Sequence, residues 1–302
     1  AWIEYNRGDL DLALENCTRV RRWVDEHYSD DPANPRLISC WQNSALTELY
    51  RERNQKELAE YSLAPLLEHV KSGTEPGQHV VIQYVRGHLA FSYGDIDAAI
   101  RYLTDASLTA SRRKKDIVFE PPACEAMLAR CYLAKGELER ARQWMEQLDP
   151  GVFSNPLNLE QSRISCARVL VATGEPVKAI EILAPLRMSS ERDRRYRHLV
   201  EIQVVYASAL LAEGKRRDAQ KLLSVAMEKA RSAGFLRLFV EEGPEIREAL
   251  RDMPQLAEPG AWNQNLRAIL TGEPEPRQSD SDHSSRPASE DSSASDSTVA
   301  DL

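Results

Sequence analysis

A small turn residue returns about every 40 positions, and that period restricts the chain to a stack of repeated units. The positions are Gly8, Asn54, Gly94, Gly136, Gly174 and Gly214, at spacings of 46, 40, 42, 38 and 40 residues. Five residues after each stands an alanine: Ala13, Ala59, Ala99, Ala141, Ala179 and Ala219. Nine residues after each stands an apolar side chain: Cys17, Leu63, Leu103, Met145, Leu183 and Leu223. Seven residues before the later turns the chain is small again, at Gly87, Ala129, Ala167 and Ala207. Self-similarity at this period is the mark of a solenoid.

Each offset has a physical meaning. The turn residue ends one helix, where glycine enters the left-handed region at little cost. A polar residue then opens the next: Asp9, Gln55, Asp95, Glu137, Glu175 and Lys215. An acid suits that positive helix end, and Lys215 departs from the rule. The small residues allow the two helices of a hairpin to approach closely. The apolar residue four positions beyond each alanine lies on the same face and fills the gap to the next unit. A lone hairpin leaves one face unburied, so the hairpins must stack. The fold class expected is all-α, a superhelical solenoid of antiparallel helical hairpins.

Composition agrees. Hydrophobic residues make up 42% of the 302 residues, and aromatics 7%. No stretch approaches the roughly 18 apolar residues that a membrane span needs. Cys17, Cys40, Cys124, Cys131 and Cys166 are odd in number and have no metal-ligand spacing, which suits idle thiols of a reduced, cytoplasmic compartment. The net charge is −8, but Gly272–Leu302 holds eight acids and two bases, so 39 acids face 37 bases elsewhere. A nearly neutral body lacks the basic bias of a nucleic-acid binder.

The pattern of small residue, glycine, alanine and large apolar residue resembles the tetratricopeptide repeat. That repeat is usually about 34 residues long, so the units here imply longer helices or linkers. The consensus tryptophan is absent and the closing proline is irregular. HEAT-type repeats have a similar length, but the Gly-acid-x-x-x-Ala turn argues against them. Only Ala1–Tyr5 precede the first turn, so the first hairpin is expected to lack its first helix. Pro32 and Pro35 mark the next boundary, Pro121-Pro122 open the fourth hairpin and Asn155-Pro156 the fifth. The solenoid is expected over residues 1–250 and short terminal helices over 251–271. Residues 272–302, rich in Ser, Asp, Glu and Pro, are expected to be a disordered acidic linker or tail.

One segment points to a family. Gly234-Phe235-Leu236-Arg237-Leu238-Phe239, followed by Glu242 and Gly243-Pro244, resembles the end of the sensor solenoid in MalT-like regulators. These are large ATP-dependent transcriptional activators carrying a LuxR-type DNA-binding domain. The resemblance covers about residues 1–271. It implies an NTPase domain before the solenoid and a helix-turn-helix domain after it, as neighbours in a full-length chain. Neither motif is present: Gly214-Lys215 is followed by Arg216 and sits in a repeat turn. The chain is therefore expected to be a sensor portion, its chemistry supplied by other domains.

The chain shows no catalytic or metal-binding set. None of His27, His69, His79, His88, His198 and His283 belongs to a His-Glu-x-x-His or Cys/His pattern, and no nucleophile elbow or dinucleotide glycine fingerprint occurs. No enzyme activity, cofactor or metal is expected. Arg112–Lys115 reads as a solvated helix end complementing its dipole. Arg192–Arg197 fits that account less well and could meet a phosphate or an acidic domain, while Tyr196-Arg197-His198 reads as helix surface. Glu241-Glu242 reads as local packing or capping.

Function then falls to the concave face. Positions 13, 10, 6 and 3 before each turn tend to face inward in tetratricopeptide stacks. Counting back gives Trp41 and Glu48 from Asn54, Tyr84 and His88 from Gly94, Arg130 from Gly136, and Gln161 and Arg168 from Gly174. Aromatic platforms among hydrogen-bonding groups suit a small polar effector or a peptide laid along the groove. Two functions are open: a ligand- or partner-sensing domain of a transcriptional activator, or a stand-alone peptide-binding scaffold. Neither needs direct nucleic-acid or membrane contact.

Overall fold

A computed structural model describes residues 1–28, 35–71, 75–117 and 123–272. They form six helical hairpins: α1 (Trp2–Arg7) with α2 (Leu10–Tyr28), α3 (Pro35–Glu52) with α4 (Lys56–Lys71), α5 (Pro76–Ser92) with α6 (Ile96–Arg112), α7 (Cys124–Ala134) with α8 (Leu138–Glu146), α9 (Pro156–Ala172) with α10 (Pro176–Arg192), and α11 (Tyr196–Ala212) with α12 (Arg216–Ala233). Three shorter helices follow: α13 (Arg237–Val240), α14 (Pro244–Arg251) and α15 (Ala261–Thr271). No strand occurs among the described residues. No helix among them is long and apolar enough to cross a membrane.

The turn chemistry works as the period requires. Every turn residue has positive φ, from 61° at Asn54 to 87° at Gly94. Asp9 and Asp95 each cap the next helix, accepting from the backbone N–H of Leu12 and Ala98 at 3.0 Å. Asn155 caps α9 in the same way, with Pro156 at the first helical position. All six alanines are fully buried, and each of the apolar partners except Met145 is buried. A β-carbon at Gly87 would lie 2.5 Å from Leu103 Cγ, so glycine is what lets α5 rest on α6. Pro65 and Pro185 interrupt α4 and α10 at the same repeat position, eleven residues past the turn. Both are exposed, so water can serve the carbonyls they leave unpaired.

Two features differ from the sequence expectation. The first hairpin does begin with a helix, the short α1, which docks far along the chain on α11. A β-carbon on Gly8 would sit 3.1 Å from Tyr196 Cβ. The inner helices α1, α3, α5, α7, α9 and α11 thus close into a ring, and the first and last hairpins share one core with α13, α14 and α15. Secondly, the chain turns back after Gly234. Phe235, Leu236, Leu238, Phe239 and Val240 are buried in that core, and Leu236 N–H donates to the Glu52 carbonyl at 2.9 Å. Trp262 of α15 closes over them, with Nε1–H donating to the Phe235 carbonyl at 3.0 Å. Pro32, Pro121, Pro122 and the expected tail from residue 273 onward lie outside the described residues.

Gly87→Val would drive a branched side chain into Leu103. It should lower unfolding free energy by about 1–3 kcal/mol, read from urea midpoints at unchanged slope. Unchanged stability would show that α5 and α6 have room to separate.

Candidate functional site

The residues six positions before successive turns form a column down the inner face of the ring. Glu48, His88, Arg130 and Arg168 occupy it, and all four are buried. Glu48 Oε2 meets His88 Nδ1 at 3.0 Å, and the His88 ring lies 5.8 Å from that of Tyr84. Trp41 and Tyr84 are half-buried beside the column, and Gln161 donates to Glu201 at 3.3 Å. Glu48, His88, Arg130, Gln161 and Arg168 therefore lie along one polar face, while Trp41 packs on the apolar core between α3, α4 and α5.

That lumen is filled by the chain's own charges. Arg51, fully buried, donates to Glu48 at 3.1 Å, Glu52 at 2.8 Å and Glu241 at 2.7 Å. Arg197 donates to Glu201 at 2.9 Å, Glu52 at 3.0 Å and the Tyr5 hydroxyl at 2.6 Å. Arg168 joins Glu201 at 3.0 Å to Glu242, on which its Nε bifurcates at 3.0 and 3.2 Å. Arg130 donates to Glu241 at 3.3 Å with its guanidinium over the Phe91 ring. Arg237 of α13 stacks on Tyr93, 4.1 Å from the ring centre, and donates to the Ser92 carbonyl. A second buried knot lies nearby, where the Glu160 carboxylate accepts from Ser190, Arg195 and His198, each at 2.8 Å.

Three sequence readings are corrected by this geometry. Glu241-Glu242 is not a local cap, because it pairs with arginines 190, 111 and 74 residues away. Arg197 and His198 are not helix surface, each being only 5% exposed. The Arg192–Arg197 run turns its charge inward in part, to Glu160, Glu52 and Glu201, while Arg192 clasps Asp193. Arg112–Lys115 is exposed as expected, at the end of α6.

The electrostatics follow from burial and pairing. Burial alone would raise the Glu48 carboxyl, but His88 and Arg51 outweigh it and hold the pKa at about 2. Glu241 is likewise raised by burial and then carried down to about 2 by Arg51 and Arg130. Glu201 falls well below the ordinary carboxylate range, since Arg168 and Arg197 overcome its burial. The five cysteines are buried, and burial pushes Cys124, Cys131 and Cys166 up to about 12. Among the described residues, no group of His, Cys, Asp and Glu is arranged to hold a metal ion.

Beside the network, on the turn side of the ring, lies a cavity of about 990 Å³. Its wall repeats with the solenoid: Phe91, Leu133, Val171 and Leu211 all stand three positions before a turn. Arg130, Arg168 and Ser208 stand six before, and Glu241-Glu242 with the start of α14 forms the opposite side.

Comparison with known proteins agrees with this architecture. The family described as the MalT-like TPR region matches residues 1–256. The HTH-type transcriptional regulator MalT of Cronobacter sakazakii is 30% identical over 128 residues, and its counterpart in Serratia proteamaculans is 30% identical over 122. Each alignment takes in 40% of this chain but 13% of the relative, so the chain corresponds to a small part of those proteins. Among solved structures, NprR in complex with its cognate peptide NprX is similar at a TM-score of 0.50 and 14% identity. That match covers 87% of this chain and 82% of the other, and shows a shared helical-repeat fold.

Glu48, Glu241 and Glu201 have depressed pKa values in the folded state, so their contribution is present above the ordinary value near 4.5 and is lost as pH falls toward about 2. Urea unfolding should therefore show stability falling across that window. Glu241→Gln should be less stable at neutral pH and show a shallower fall. An identical slope in the variant would contradict the pairing.

Proposed function

The chain belongs to the MalT-like TPR region family, and from that membership we propose that it is the sensing portion of a larger transcriptional regulator. An effector or peptide is taken up by the ring and alters its contacts with NTPase and helix-turn-helix domains elsewhere in the full-length chain, in the cytoplasm. The observation that carries the reading is the position of Glu241-Glu242. The segment that closes the ring core also reaches the concave column, so occupancy of the lumen and placement of α13–α15 are coupled.

The coupling is thermodynamic. A ligand that binds better when Glu241-Glu242 is displaced shifts the population toward that arrangement, by no more than its difference in affinity for the two. Trp41 and Tyr84 supply ring faces to such a ligand; Glu48, His88, Arg130, Gln161 and Arg168 supply hydrogen bonds. The module senses, and catalysis belongs to other domains. A second reading, a stand-alone scaffold for peptides, is favoured by one observation: NprR, similar in fold, is described in complex with a peptide.

Thermal-shift screening separates the two. A saturating effector at about 100 times its dissociation constant should add near 2.7 kcal/mol of stability. It should also change hydrogen exchange in residues 235–251. Tyr84→Ala should weaken that binding without unfolding the chain. If only extended or helical peptides stabilise the protein, and exchange at 235–251 stays constant, the scaffold reading replaces the sensor.

A further inference from the structure

The arginines of the lumen are not equally satisfied. A guanidinium has five N–H donors in a fixed plane. In Arg51 and Arg197, every nitrogen has an oxygen partner between 2.6 and 3.1 Å. Neither lines the 990 Å³ cavity. Arg130 and Arg168 do line it, and both are short of acceptors. Arg130 Nη2 lies 3.3 Å from Glu241 and 3.9 Å from Glu242, and its Nη1 has only the Met127 sulfur at 3.8 Å. Arg168 Nη1 has no hydrogen-bond partner, although the residue is only 8% exposed. Two spare donors of the network thus lie where there is space for a ligand, in a volume typical of small-molecule sites, whereas Arg237 Nε and His88 Nε2 are also unpaired but do not line that space.

The rest of the cavity defines the ligand's other end. Phe91, Leu133, Val171 and Leu211 repeat along one wall and carry no polar side-chain group. The basic rim residues are already engaged, Arg216 with Glu248 and Asp252 and Arg247 with the Val240 carbonyl, while the Glu245 carboxylate stands exposed at the rim, away from the two arginines that the network supplies.

We propose that this cavity binds an amphipathic anion, a small molecule whose carboxylate or phosphate is received by Arg130 and Arg168 and whose apolar body lies on the Phe91–Leu211 wall. The assignment rests on the sensor reading and names the ligand class that the sensor takes. Glu241 and Glu242 hold the same two arginines, so they compete with the ligand's anion. Binding therefore loosens the hold of residues 237–242 on the ring. Carboxylates and phosphates share this chemistry, because a guanidinium receives both through paired N–H bonds.

Calorimetric titration of the full chain tests the assignment with three probes that share a phenyl ring on a three-carbon spacer: 4-phenylbutyrate, 3-phenylpropyl phosphate and the uncharged 4-phenylbutyramide. One or both anions should bind at one per chain, about tenfold or more tighter than the amide, as expected of charge-assisted bonding. The tighter anion identifies the head group. Ser208→Phe and Ala172→Trp fill the cavity without touching an ion pair, and each should abolish anion binding while melting temperature is retained. Glu242→Gln removes the competing carboxylate and should tighten anion binding several-fold. Equal affinity for acid and amide overturns the assignment, as does anion binding that survives both filled-cavity variants. Failure of the anions alongside stabilisation by an uncharged metabolite overturns the anion class and leaves the sensor reading standing.

Discussion

The ion-pair network in the lumen is the constraint on which the rest depends. Arg51, Arg130, Arg168 and Arg197 come from four different inner helices, α3, α7, α9 and α11, and the glutamates that meet them come from α3, α11 and one further place, the segment after α13. Removing such charges from water is costly, and a buried pair recovers the cost only when its geometry and remaining hydrogen bonds are good. The value of the network is therefore one of specification more than net stabilisation. Any slip in curvature would strand a charge without a partner, a penalty of about 3–5 kcal/mol each. A solenoid with adjustable curvature is thereby held at the one curvature that lets α1 reach α11.

The apolar part of the structure cooperates with that choice. Tyr5 binds Arg197 and Glu52 through its hydroxyl while its ring packs edge-on to Phe235. One residue thus joins the charged lumen to the core of the first and last hairpins. The segment from Gly234 to Glu242 does the same in sequence order. Its left-handed glycine turns the chain, its apolar residues enter the core, and its two glutamates enter the lumen. The two ends of that segment, core and lumen, are therefore joined through only a few residues.

Much of this was legible in the sequence, and the rest was hidden for a physical reason. The turn glycines, the buried alanines and the inward column at Glu48, His88, Arg130 and Arg168 all follow from contacts within a hairpin or between neighbours. Periodicity reports such contacts directly. Ring closure is different, because it is the accumulated sum of small rotations over many repeats. No single offset carries that sum, so Tyr196-Arg197-His198 reads as surface and α1 as too short to matter. The same applies to Glu241-Glu242, whose partners lie up to 190 residues away. One signal was available: an acidic pair beside a hydrophobic segment, in a chain whose predicted groove carries unpaired arginines, is a candidate for filling that groove.

A double-mutant cycle on Arg168 and Glu242 tests the central claim most directly. Replacing either by methionine leaves the other charge buried, so each single variant should lose about 3–5 kcal/mol in urea unfolding. The double variant should lose far less than their sum, with a coupling energy above about 2 kcal/mol. Additive losses, within about 0.5 kcal/mol, would mean that the two side chains act independently and that the C-terminal segment is not held in the ring by these charges.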